Sequence, residues 1–369
     1  MTLRVGMNLL WLVPGEAGGA ERYATRLLGA LAVEPDNDVE ITILCTRRFP
    51  PAYPELVERF ATAVAPLDGR SRVARIAFES SWLPREARRR RLDVIHHMND
   101  VLPWVGSRPA ALTIHDLRSM AGTEVLGRTH AAYLRARIPT SVRRAAVIMT
   151  PTAYVREQIL DILDGDPART LVVSAPLFRD ASEDAGRASP PDGSFVYPAK
   201  TTRHKNHTTL LEAFAKLVAA EPDVRLVLPG PVGDAETGVA ATIRRLGLTD
   251  RVRRAGRVPD AELDRLLGSA VALVYPSRFE GYGLPVAEAM SIGCPVIAAD
   301  ATALPEVVGD AGLLIDPDDV DAWTNAMSAL LHDDALRTDL ARAGRERVGE
   351  LTPAAAARRL REAYRIAAS

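Results

Sequence analysis

Two carboxylates and two glycines share a short run, Arg278-Phe279-Glu280-Gly281-Tyr282-Gly283-Leu284-Pro285-Val286-Ala287-Glu288-Ala289-Met290. The Gly281-Tyr282-Gly283 loop lets a backbone come close to a ligand. Leu284 and Pro285 then suit the first turn of a helix. The unpaired N–H groups of that turn favour an anion. Glu280 in the loop and Glu288 about one turn into the helix are acceptors for hydroxyl groups. Phosphate-type donors beside hydroxyl acceptors are what a sugar nucleotide would require.

A second constellation supplies cations. Lys200-Thr201-Thr202-Arg203-His204-Lys205-Asn206-His207 puts Lys200, Arg203 and Lys205 just before a predicted helix, and only one other lysine, Lys216, occurs in the chain. The ammonium is a compact charge that arginine does not reproduce. Such a cluster neutralises the charge that builds on a departing diphosphate; a solvated loop is the plain alternative. Pro229-Gly230-Pro231 and Gly256-Arg257-Val258-Pro259 are ordinary turns taken alone. As small, rigid loops they would wall a flat base, with Val258 backbone groups reading its edge. The N–H groups of the Thr302–Glu306 loop are further candidates for phosphate.

The first half offers less specific signals. Gly18-Gly19-Ala20-Glu21 opens a helix and lets a phosphate approach, or is simply a tight turn. It is not the G-x-G-x-x-G fingerprint of nicotinamide or flavin proteins. His115-Asp116 ends a strand, where an imidazole can bond a substrate hydroxyl or a developing charge. His96, His97 and Asn99 end the strand before it. Their spacing fits no metal-binding pattern, and no cysteine joins them.

These residues need a scaffold that presents loops in one direction. Strands are predicted at Leu3–Leu10, Val39–Cys45, Val94–His97, Ala110–His115, Val147–Thr150 and Thr170–Ser174, with one helix carrying apolar Ala24, Leu27, Leu28 and Leu31 and another at Ala153–Leu163; Leu56–Ala65 and Val73–Arg91 read as helix or loop. The alternation restarts after the Ala-, Gly-, Ser- and Pro-rich stretch 181–194, the linker candidate. Strands follow at Ser194–Pro198, Val224–Leu228, Val252–Ala255, Val271–Tyr275, Pro295–Ala299 and Gly312–Ile315, and helices at His207–Ala220, Ala240–Leu246 and Asp260–Leu267. Three helices close the chain, at Val320–Leu331, Ala335–Val348 and Pro353–Ala367. Alternating strands and helices imply parallel sheets covered on both faces. Ligands of such sheets bind beyond the carboxyl ends of the strands, where every candidate loop falls.

Composition narrows the class. A chain of 369 residues implies two domains. Its net charge of -1 argues against a nucleic-acid binder. Cys45 and Cys294 lie far apart in apolar runs and read as reduced, buried thiols. The N-terminus, broken by Gly6 and Asn8, reads as a strand and not a signal peptide, and no apolar run approaches the ~20 residues of a membrane span. A cytoplasmic protein is expected. Two arginine-rich stretches, Arg85–Arg91 with five arginines in seven residues and Arg135–Arg144, read first as solvated helix faces. The sharper reading is peripheral contact with an anionic inner-membrane surface or a diphosphate-linked acceptor.

Taken in order, the Gly-Gly-Ala-Glu loop, His115-Asp116, the Lys205-Asn206 helix start, the Glu280…Glu288 unit and Ala303-Leu-Pro-Glu-Val-Val-Gly-Asp-Ala-Gly-Leu-Leu314 resemble the GT-B glycosyltransferases of family 4. The resemblance covers nearly the whole chain and is strongest from Tyr197 to Pro317. It implies two Rossmann-like domains facing across a cleft: residues 1–180 for the acceptor, and 195–352 for the donor nucleotide. A last helix, 353–369, would cross back to the first domain. It also implies retaining, metal-independent transfer of a sugar from a nucleoside diphosphate, with no cofactor. By the resemblance, Lys205 would hold the diphosphate with Arg203 or Lys200. Glu280 would contact the sugar, Glu288 the ribose, His115 the sugar and transition state, and Gly19, beside Gly18, the phosphate. The Gly281-Tyr282-Gly283 loop and Leu284 would receive the diphosphate. In one departure, Pro198-Ala199-Lys200 stands where the family usually has a Gly-Arg pair. Tyr197-Pro-Ala together with His204-Lys-Asn-His207 is similar to mannosyltransferases and related enzymes that build bacterial surface glycans, which leans to a GDP-linked donor such as GDP-mannose. The acceptor would be a glycan, a lipid-linked glycan or a small natural product. The alternatives are a GT-B-type sugar-nucleotide epimerase or hydrolase, which needs no acceptor, and a catalytically silent sugar-nucleotide-binding member. A two-domain solute-binding protein is opposed by the missing signal peptide.

Overall fold

The computed structural model describes residues 2–16, 18–35, 38–106, 108–120, 128–178 and 191–369. Most of the expected 181–194 linker lies outside the described residues. The chain divides into two compact units, Met1–Phe178 with Leu351–Ser369, and Arg179–Glu350.

The N-terminal unit is built on β1 (Leu3–Asn8), α1 (Gly19–Val33), β2 (Val39–Thr46), α2 (Phe49–Ala52), α3 (Pro54–Arg59), β3 (Ala61–Ala65), α4 (Arg72–Arg89), β4 (Val94–His97), β5 (Ala110–Thr113), α5 (Arg128–Arg144), β6 (Val147–Thr150), α6 (Ala153–Leu163) and β7 (Thr170–Val172). Its seven strands run parallel in the order β3-β2-β1-β4-β5-β6-β7. Every residue of β4 and β6 is buried, as expected of strands covered on both faces. Two expectations are refined here. The stretch Leu56–Ala65 divides into α3 and the edge strand β3, whose Val64 is exposed and whose apolar signal is correspondingly weak. The stretch Val73–Arg91 is one helix, α4, which tolerates Pro84.

The C-terminal unit holds β8 (Ser194–Val196), α7 (His207–Ala220), β9 (Arg225–Pro229), α8 (Glu236–Arg245), β10 (Val252–Gly256), α9 (Asp260–Ser269), β11 (Ala272–Tyr275), α10 (Leu284–Ser291), β12 (Val296–Ala299), α11 (Leu304–Val308), β13 (Leu313–Ile315), α12 (Val320–His332) and α13 (Asp334–Val348). Its six strands are parallel in the order β10-β9-β8-β11-β12-β13. Thus β8 and β11, distant in sequence, are neighbours, with Leu273 opposite Val196.

The last helix, α14 (Pro353–Ala368), belongs to the N-terminal unit. Thr352 caps it by accepting from Ala355 N–H, and Pro353 suits its first turn. Ala356, Ala357, Leu360, Ala363, Tyr364 and Ala367 are buried and form one face. That face packs on α1 and against β5 and β6. The Tyr364 hydroxyl lies 3.0 Å from His96 Nδ1, and the Leu177 N–H donates to the Leu351 carbonyl at 2.7 Å. Both cysteines are buried thiols that form no disulfide with each other; burial pushes the Cys45 thiol up to about 12.

Candidate active site

In the C-terminal unit the expected residues gather at the carboxyl ends of β8 and β11. Lys205 Nζ forms an ion pair with Glu280 Oε1, both side chains being mostly buried. The same ammonium donates to the Tyr275 hydroxyl at 3.1 Å. Behind it, the Tyr197 hydroxyl donates to the Lys205 carbonyl at 2.6 Å, and the two tyrosine rings meet edge to face at 5.3 Å. Two strand-end tyrosines therefore hold the lysine at its backbone and at its charge. An ammonium has three donors, and Glu280 and Tyr275 occupy two. Burial works against the Glu280 carboxylate, but Lys205 outweighs it and holds the carboxyl below its usual range. Both tyrosine hydroxyls are pushed well up, first by burial and then by the Glu280 charge.

The loop that carries Glu280 is clasped from the next strand's loop. Glu280 N–H donates to Thr302 Oγ1 at 2.9 Å, and the Ala303 N–H is spent on the Glu280 carbonyl. The Leu304 N–H is likewise spent on Ala301, so this loop braces the site instead of offering those groups to phosphate. Gly283 caps α10 at φ 95°, a conformation that favours glycine. A Cβ there would stand 2.7 Å from Leu304 Cδ2. No side chain caps α10; Pro285 carries no N–H, and the Val286 and Ala287 N–H groups donate to the Gly283 carbonyl at 2.8 and 3.3 Å, which leaves the Leu284 N–H as the donor of this first turn. Glu288 lies a turn further on, 5% exposed.

Lys200 and Arg203 are exposed, on the same loop as Lys205. Asn206 is a structural pin: at φ 54° it donates to the Pro317 carbonyl at 2.6 Å and accepts from Thr209 at 2.8 Å. Arg278 pairs with Asp318. Gly230 has φ 146°, and a Cβ on it would fall 2.1 Å from the Ala199 carbonyl oxygen, so only glycine allows β9 to end this close to the Ala199 turn. Gly230 N–H donates to the Gly256 carbonyl at 2.7 Å, and half-buried Val258 follows two residues on.

In the N-terminal unit, Gly18 and Gly19 start α1 with no side-chain cap and open space around them. Glu21 is buried and accepts from Gly15 N–H at 2.8 Å and from the Tyr53 hydroxyl, so the acid of this motif shapes the loop. The three histidines separate in role. His96 is fully buried and spent between Thr113 Oγ1, at 2.7 Å, and Tyr364. His97 is buried against Asn8, 3.1 Å from its amide nitrogen. Burial lowers both to about 3, so both are neutral. His115 remains partly exposed, its ring edge on Tyr23 at 5.1 Å. Its Nε2 is 3.1 Å from the Met98 carbonyl and must donate, so that in the neutral ring Nδ1 is the acceptor. Its N–H donates to Asp100 Oδ1 at 2.7 Å.

The arginine-rich stretches are largely consumed by structure. Buried Glu86 takes Arg89 and Arg90. Arg135, Arg137 and Arg144 donate to the carbonyls of Ser119, Leu102 and Pro103. The positioning tyrosines, Tyr197 and Tyr275, were missed in the sequence. Their only signal is a polar aromatic placed at the end of an apolar strand.

Two Rossmann-like units with candidate residues on loops past the strand ends are the GT-B architecture of glycosyltransferases. Solved structures of that kind match along the chain. Sucrose-phosphate synthase from Thermosynechococcus elongatus has a TM-score of 0.77 at 21% identity, over 98% of both chains. Anabaena HepE in complex with UDP and glucose has a TM-score of 0.74 at 18% identity, over 98% of this chain and 99% of that one. The family models "Glycosyltransferase Family 4" and "Glycosyl transferases group 1" match residues 17–176 and 179–347. The chain belongs to glycosyltransferase family 4. O-antigen chain mannosyltransferase B of Escherichia coli is 31% identical over 255 residues, 66% of each chain. D-inositol 3-phosphate glycosyltransferase of Corynebacterium diphtheriae is 33% identical over 184 residues, 47% of this chain and 42% of that one. An MMP alpha-(1->4)-mannosyltransferase of Mycolicibacterium hassiacum is 39% identical over 153 residues, 40% of this chain and 36% of that one. The matches thus span two thirds or less of these curated relatives.

Proposed function

We propose that the protein is a retaining, metal-independent glycosyltransferase that moves a hexose from a nucleoside diphosphate to an acceptor hydroxyl. The observation that carries this reading is the buried Lys205–Glu280 pair beside the uncapped start of α10. It offers a cation, the Leu284 N–H at the helix start and a carboxylate within one loop cluster. The third Lys205 donor and the α10 N-terminus take the diphosphate, with Lys200 or Arg203 in support. Glu280 accepts from a sugar hydroxyl and Glu288 from the ribose, and Gly230 and Val258 wall the base. Gly18 and Gly19 are assigned to phosphate, and His115 Nδ1 to a sugar hydroxyl. The names of the mannosyltransferase relatives support a mannosyl donor, which we take to be GDP-linked. Arg85, Arg88 and Arg91, exposed and not captured by Glu86, are the part of the basic run left for an anionic membrane surface.

In the proposed step the bond from the sugar's anomeric carbon to the phosphate oxygen breaks, and the acceptor oxygen bonds that carbon on the same face. The acceptor proton passes to the leaving phosphate oxygen. Lys205 and the helix start stabilise that oxygen as charge develops. Lys205→Ala and Glu280→Ala are each expected to lower kcat by about 10²–10³-fold, the cost of removing a preorganised stabilising group. Initial rates of product formation with GDP-, UDP-, ADP- and dTDP-sugars measure this. Either variant transferring at the parent rate would sink the reading.

A further inference from the structure

One face of α4 carries charged groups that the donor chemistry does not use. Arg72, Arg75 and Glu79 recur at helical spacing and are only partly buried. They lie at the carboxyl edge of the first sheet, because the Glu79 Oε1 accepts at 3.1 Å from Asn8, the last residue of β1. The same Asn8 amide lies 3.1 Å from His97 Nδ1 at the end of β4. No salt bridge joins Glu79 to either arginine among the described residues. Each group is held apart by a different partner. Arg75 Nη1 donates to the Trp11 carbonyl at 2.8 Å. Arg72 Nη1 lies 2.9 Å from His130 Nδ1, and its guanidinium sits over the Tyr133 ring, 4.6 Å from the centroid. A guanidinium only donates, so His130 accepts at Nδ1 and carries its proton on Nε2. Burial and then Arg72 lower the His130 pKa, in keeping with that neutral form. Burial raises the Glu79 carboxyl despite the bond from Asn8 and the charge of Arg75.

Two guanidiniums, a ring N–H and a carboxylate are therefore kept on one face; the Glu79 charge acts on Arg75, but no ion pair between them takes up the guanidinium donors. Oriented guanidinium donors of this kind match phosphate oxygens, and a lone carboxylate matches a hydroxyl. We propose that this face of α4, with His130 and Tyr133 of α5, binds the acceptor, and that the acceptor carries a phosphate group. Arg72, Arg75 and His130 Nε2–H take the phosphate oxygens, and Glu79 accepts from an acceptor hydroxyl. The assignment rests on the glycosyltransferase reading and names its second substrate class. A soluble sugar phosphate and a lipid-linked sugar diphosphate present the same chemistry.

Matched acceptors test it: mannose against mannose 6-phosphate, and a decyl mannoside against a decyl-diphosphate-linked mannose. Calorimetric binding to the full chain and steady-state transfer are measured for each. The phosphate-bearing member of at least one pair is expected to bind more tightly by about tenfold to a hundredfold, as charge-assisted hydrogen bonds imply. The responding pair tells the soluble source from the lipid-linked one. Arg72→Ala and Arg75→Ala should each raise its Kd and KM about tenfold while leaving the neutral partner's KM and the donor Kd unchanged, and Arg72→Lys should restore part of the loss. Equal binding of both members of both pairs would overturn the proposal, as would variants that weaken neutral and phosphate acceptors alike. If the parent chain transfers no sugar at all, the donor reading fails, and calorimetry with the same pairs still decides this one.

Discussion

Lys205 is held at both ends, and that gives it a testable dependence on residues that touch no substrate. Tyr275→Phe keeps the ring against Tyr197 but removes the oxygen that accepts from the ammonium. One such hydrogen bond contributes about 1 kcal/mol, so kcat is expected to fall about fivefold with little change in the urea midpoint. A parallel fall in stability would show that the tyrosine supports the fold and not the lysine. At this scale the sequence spoke clearly about residue types and poorly about partners. The scarcity of lysine singled out Lys205, and the glycine-flanked acid singled out Glu280. That the two pair with each other was hidden, because they are 75 positions apart and only the β8–β11 adjacency joins them. The histidines show the same limit. His96 and His115 both sit at strand ends, and only the approach of Tyr364 makes one a core residue and leaves the other partly open.

Among the elements, fully buried parallel strands were the easiest to read. Val94–His97 and Val147–Thr150 were expected with the bounds they have, each opening on an apolar Val-Ile pair, although β4 ends on two histidines. The elements read poorly or missed are those with mixed composition. β3 is an edge strand, α5 is arginine-rich and carries Pro139, and α11 is five residues long. Glycine placement was legible as flexibility, but its cause is a close approach visible only in three dimensions. Gly230→Ala places a methyl against the Ala199 carbonyl in a backbone region that L residues avoid. The expected cost is about 1–3 kcal/mol, read as a lower urea midpoint. Donor affinity should weaken with it, because the turn that moves carries Lys200. An unchanged midpoint and donor Kd would show that the turn relaxes freely.

Across the whole molecule, three buried imidazoles set the acid limit. His96, His97 and His207 are each lowered to about 3, first by burial. In the unfolded chain they take up protons below pH ~6.5, whereas the folded chain refuses them until far lower pH. Between those values the unfolded state binds more protons, so stability is complete above pH ~6.5 and falls as pH drops toward 3. The urea midpoint is expected to fall between pH 7 and pH 5, before ordinary carboxylates titrate. A flat profile over that interval would contradict the burial of these rings. The division into two alternating halves was legible from the restart of the strand pattern after the 181–194 stretch. The place of α14 was not readable from its own composition, because an alanine-rich amphipathic helix fits many surfaces. That helix also bears on synthesis. The N-terminal unit lacks the Tyr364 partner of His96, and the cover over α1, until residue 364 has been made. The ribosome therefore delivers every strand of the first sheet early and its closing helix last, while Arg179–Glu350 emerges as a complete unit in between. The unit begun before Arg179–Glu350 is finished after it, and during elongation it waits with an apolar face uncovered.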